Sequence, residues 1–160
     1  MSNKAARLSG IILIVIGVAI LIFSVAGTAR ALLDPVWLDA QLAAAGPALQ
    51  DNPMFQPPAL TWMIAISGLL GIVESGLSII LGIYTYKGRR WAIITSILLT
   101  VLRLLIVGLL LLMQVLVAAL GQSTPTFARD LLFAGGATMV LLALIGLLIA
   151  ALRTPKPASP

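Results

Sequence analysis

Long apolar runs broken by short polar punctuation dominate this chain. Four of them reach the roughly 20 residues that an α-helix needs to cross the hydrocarbon core of a bilayer. They extend from about Leu8 to Ala29, Leu60 to Tyr86, Trp91 to Leu120 and Leu131 to Leu152. The connections leave no room for a second domain, so residues 1–160 are expected to form a single all-α unit, a four-helix transmembrane bundle. The third run, at about 45 Å of helix, exceeds the core and is expected to tilt or protrude near Gln114 to Gln122.

The largest connection, 30–59, carries helix signals of its own. Asp34 suits an N-cap, Pro35 the first helical position, and Gly46 with Pro47 a stop. A short extracytoplasmic helix over Pro35 to Ala45 follows. Leu38, Leu42 and Ala45 then share one face, which suits a helix lying on the membrane surface or over the ends of the spans, with Trp37 as an anchor. Pro47, Pro53, Pro57 and Pro58 exclude regular structure after it. This loop is either a lid or a surface for a partner. The end of the chain, 153–160, reads as an extended cytoplasmic tail.

Composition strengthens the membrane reading. The chain is 61% hydrophobic and only 9% charged, with a mean hydropathy of +1.14, whereas soluble domains are about 25% charged. The first run follows Lys4 and Arg7, and Ala26, Ala29 and Ala31 offer small residues at its far end, the layout of a secretory signal. Its length exceeds the usual signal core of about 7 to 15 residues, so a retained span is expected.

Charge gives an orientation, because Lys and Arg are held back in cytoplasmic loops. Lys4, Arg7, Lys87, Arg89, Arg90, Arg153 and Lys156 all fall on one side of the four runs. Arg30 and Arg129 fall on the other, with Asp34, Asp39, Asp51 and Asp130. Both termini are thus expected in the cytoplasm of a cell-membrane protein, with Lys87, Arg89 and Arg90 as topology anchors. Tyr84, Tyr86 and Trp91 bracket the same turn and Trp62 marks the opposite interface, as aromatic belts do. The net charge of +5 therefore reflects topology and anionic lipid rather than a nucleic-acid partner.

Two residues break the apolar pattern within the spans, Glu74 and Arg103. An ionisable group at mid-bilayer costs about 2.5 to 3.5 kcal/mol on insertion scales, which makes it a functional candidate. Each lies thirteen residues from the basic turn around Gly88, counted from Lys87 and Arg90, so the two share a depth. Ser96, Thr100, Arg103, Val107, Leu110 and Gln114 follow one another at helical spacing, as do Ser67, Gly71, Glu74 or Ser75, Ser78 and Gly82. An intramembrane ion pair fixing the register of the central hairpin is one expectation. The other is that Glu74 binds a proton, a cation or a cationic substrate and Arg103 tunes it.

Small residues supply close packing. Gly10, Gly17 and Ser24 recur by seven in the first run, Gly136, Ala143 and Ala150 in the fourth, and Gly68, Gly71, Ser75, Gly76 and Ser78 crowd the second. Such seams serve the bundle itself or a neighbouring subunit.

Chemistry narrows what remains. With no cysteine and no histidine, the chain cannot build a thiol oxidoreductase, a His-based serine protease or a His-ligated haem site. The loop acids lack metal-ligand or acid–base spacing, so neither enzyme activity nor a cofactor is expected. Four short helices with a membrane Glu resemble the small multidrug transporters, but their acid lies in the first helix and Glu74 lies in the second. The cysteines of claudin-like proteins and tetraspanins are missing. The leading expectation is a structural or accessory subunit that packs with lipid and with other membrane proteins or itself. The alternative is a small transporter or channel using Glu74.

Overall fold

The computed structural model describes residues 4–45, 59–119 and 127–153. Among them the secondary structure is entirely α-helical: α1 Lys4–Leu33, α2 Pro35–Ala45, α3 Ala59–Tyr86, α4 Arg90–Ala119 and α5 Phe127–Arg153. Helices α1, α3, α4 and α5 are long and apolar enough to cross a membrane, the signature of a multi-pass membrane protein. Gly46, Pro47, Asp51 and the prolines after it, Gln122 and the tail from Thr154 lie outside the described residues, as do the side chains of Leu42, Ala45 and Asp130.

Helix α2 has the bounds its capping signals predict. The Trp37 amide donates to Asp34 Oδ1 at 3.0 Å, which is an N-cap bond to the third helical residue. The joint to α1 is shorter than the sequence indicates. Helix α1 continues through Arg30 to Leu33, so Arg30 belongs to its last turn rather than to a loop. Apolar runs report where lipid ends, whereas a helix ends where its backbone groups find other partners. Here Asp34 serves both helices: its amide donates to Arg30 O at 2.9 Å, and its carbonyl accepts from Leu38 N at 3.2 Å.

The chain divides into two compact units, residues 14–80 and residues 1–13 with 81–160. In the first, α1 and α3 meet through small residues. A methyl group on Gly17 would lie 3.0 Å from Ser75 O and 3.1 Å from the Ile79 amide. Ser24 rests on Gly71 and Thr28 on Gly68, each where an added side chain would stand. Absent Cβ atoms let the two backbones close up.

The second unit uses the same device at the start of α1. A methyl group on Gly10 would sit 2.6 Å from both Gly82 O and the Tyr86 amide. The α1 seam of Gly10, Gly17 and Ser24 is therefore consumed within the chain.

Helix α3 ends here in a glycine cap. Gly88 has φ +71°, its amide donates to Thr85 O at 2.8 Å, and the Arg89 amide donates to Tyr84 O at 3.1 Å. This is the Schellman arrangement, and it needs the left-handed conformation that glycine takes without strain. The Arg89 carbonyl then accepts from Ile93 N at 3.2 Å and opens α4.

Helices α4 and α5 pack along each other in this unit. On α5 the buried positions are Leu141, Leu144, Leu148 and Ala151, spaced by three and four. Gly136, Ala143 and Ala150, the small-residue seam expected on this helix, are exposed and do not belong to its buried face. Leucine at helical spacing thus forms the buried stripe of this helix, and the small residues lie off it.

Candidate functional site

The polar face expected on α4 is buried at its start and opens along its length. Ser96 and Thr100 are fully buried and Arg103 is 8% exposed, whereas Gln114 is half-buried and Leu110 is exposed. The Thr100 hydroxyl donates to Ser96 O at 2.7 Å, a bond that satisfies the donor inside its own helix. Ser96 Oγ lies 3.2 Å from Thr85 Oγ1, joining α4 to α3. At Gln114, Oε1 is buried with no hydrogen-bond partner among the described residues.

Thr85, between the two interfacial tyrosines, lies beyond the polar and small stripe expected on α3, which ends at Gly82. Its signal was present, since it continues the spacing of Ser78 and Gly82. The Thr85 and Ser96 pair also fixes the hairpin's local register. Its midpoint lies between Arg90 and Trp91, beyond the midpoint between Gly88 and Arg89 that relates Glu74 to Arg103. Near the turn the facing residues are therefore advanced by about one helical turn relative to a symmetric hairpin.

Glu74 and Arg103 occupy different units, on α3 and α4 respectively. On α3, Ser75 is fully buried and its hydroxyl donates to Ile72 O at 2.7 Å. Glu74 is half-buried, with its carbonyl accepting from Ser78 Oγ at 2.8 Å. Of the two register positions the spacing allowed, Ser75 faces into the small-residue seam and Glu74 stands at its edge.

Cations and aromatic rings gather where α3 meets α4. Arg7 lies 5.5 Å from the Tyr86 ring centroid and Lys87 Nζ lies 5.8 Å from that of Tyr84. Tyr84 and Trp91 are 5.1 Å apart at 49°. Each cation–π contact is worth about 0.5 to 1 kcal/mol when exposed. Arg89 and Arg90 are exposed beside them. At the other end of α1, Arg30 stands 5.0 Å from the Trp37 ring centroid, beside the Asp34 cap.

Among the described residues no group of three or more acidic side chains is placed to hold a metal ion. Comparison with protein-family models, with curated proteins and with solved structures finds no match for this chain.

Proposed function

We propose that this chain is a non-enzymatic protein of the cell membrane, a structural or accessory subunit that assembles with other membrane proteins or with further copies of itself. Both termini and the Lys87 to Arg90 turn lie in the cytoplasm in this reading, and α2 lies outside. The clustering of Arg7, Lys87, Arg89 and Arg90 near Tyr84 and Tyr86 supports the orientation, since basic residues with interfacial aromatics mark the cytoplasmic face.

One observation carries the subunit reading. The small residues of α1 are spent on α3, but a Cβ added at Gly135, Gly136 or Gly146 of α5 would meet nothing within 4 Å. Gly136, Ala143 and Ala150 are exposed on that helix beside Met139, Val140 and Leu142. In lipid, helices associate through such faces because backbones approach closely there.

A photocrosslinking amino acid at Ala143 tests this in native membranes. Expected is a crosslinked product with a membrane protein, lost when Gly136→Leu and Gly146→Leu are introduced together. Crosslinks to lipid alone, before and after those changes, would refute the subunit reading. Recovery of an isolated oligomer with pH-dependent ligand binding that Glu74→Gln abolishes would replace it by transport.

A further inference from the structure

Within residues 14–80, helices α1, α2 and α3 border an open groove of about 540 Å³. That size falls in the range of roughly 300 to 1,000 Å³ typical of small-molecule sites. Its α1 wall runs from Phe23 to Ala31, about 12 Å along the helix axis. Leu38, Leu60 and Met63 make it apolar, and Ser67 adds a hydroxyl. Gly27 leaves open space in its wall, because a Cβ added there would meet nothing within 4 Å.

Position along α1 indicates what fills the groove. The uncharged run between Arg7 and Arg30 spans about 33 Å, close to the hydrocarbon thickness of a bilayer, so with Arg7 at one headgroup layer Arg30 stands at the other. The groove runs inward from that depth. Arg30 is exposed and lies over Trp37, itself a groove residue, which sets a cation at the mouth of an apolar slot. The Asp34 carboxylate nearby accepts from the Trp37 amide, and Asp39 is exposed on α2. Apolar depth with a cation at the phosphate layer matches an amphiphile that has a hydrocarbon tail and an anionic phosphate.

We propose that this groove binds one membrane phospholipid, with an acyl chain lying against Gly27 and the headgroup phosphate at Arg30. The site is independent of any protein partner on α5. It follows from α1 spanning a bilayer.

Trp37 provides the readout. With Trp62→Phe and Trp91→Phe it becomes the sole tryptophan, and the chain is reconstituted in phosphatidylcholine vesicles containing 1 to 10 mol% of phosphatidylglycerol brominated on its acyl chains. A saturable quenching of Trp37 is expected, at least threefold above that given by the same mole fraction of brominated phosphatidylcholine. Gly27→Leu and, separately, Ser67→Leu should remove the saturable part, and Arg30→Gln should abolish the headgroup preference. Quenching that follows bulk mole fraction and ignores both groove-filling variants would overturn the proposal. So would quenching by brominated fatty acid alone, or a Trp37 that no brominated lipid reaches, which would mean that protein occupies the groove.

Discussion

Glycine has opposite roles at different positions of this chain, and the surroundings decide which. At Gly10 an added methyl group would press on the backbone of Gly82 and Tyr86 at 2.6 Å, and backbone cannot rotate aside. Gly10→Ala should therefore destabilise the protein by about 1 to 3 kcal/mol, the usual cost of overpacking. At Gly108 nothing lies within 4 Å, so Gly108→Ala should be neutral or stabilise by up to about 1 kcal/mol through helix propensity. Thermal unfolding of both variants in one detergent measures the difference. Equal midpoints would show that α1 and α3 do not make this close approach.

At the scale of elements, the expectation for the central hairpin concerns Glu74 and Arg103. Burying one charge after its partner is removed costs more than removing both. If the two neutralise one another, Glu74→Gln with Arg103→Gln should retain more stability than either single change, by about 1 kcal/mol or more in a double-mutant cycle. Additive effects would separate the two residues energetically. A double variant that folds normally but loses transport would give Glu74 the other role.

Helix positions were readable because lipid imposes one rule, about 20 apolar residues per crossing, that side-chain detail does not override. The α2 helix was readable through Asp34 and Pro35, whose capping chemistry is local. Which face of α5 packs was not readable. Gly136, Ala143 and Ala150 and the Leu141, Leu144, Leu148 and Ala151 set both have helical spacing, and in an apolar helix hydrophobicity does not distinguish inside from outside. The continuation of α1 through Arg30 does not show in hydropathy, which ends the apolar run at Ala29, although Arg30 and Ala31 both favour helix.

For the whole molecule, four membrane-competent helices and a one-sided distribution of Lys and Arg make a testable statement about sidedness. The native chain has no cysteine, so a single introduced thiol reports without background. Arg89→Cys should react with a membrane-impermeant maleimide only after cells are permeabilised, and Val36→Cys on α2 should react in intact cells. The reverse pattern would invert the topology and remove the support for cytoplasmic termini.

The single-residue joint at Asp34 has a mechanical consequence. A loop of several residues would absorb a change in the direction of α1, but one shared residue, bonded backward to Arg30 and forward to Leu38, offers almost no slack. When a thinner or thicker bilayer alters the inclination of α1, the short helix must swing with it as a stiff crank. Spin labels on Val36 and Leu33 should then keep one separation across lipids of different chain length, while the angle of each to the membrane normal changes in step.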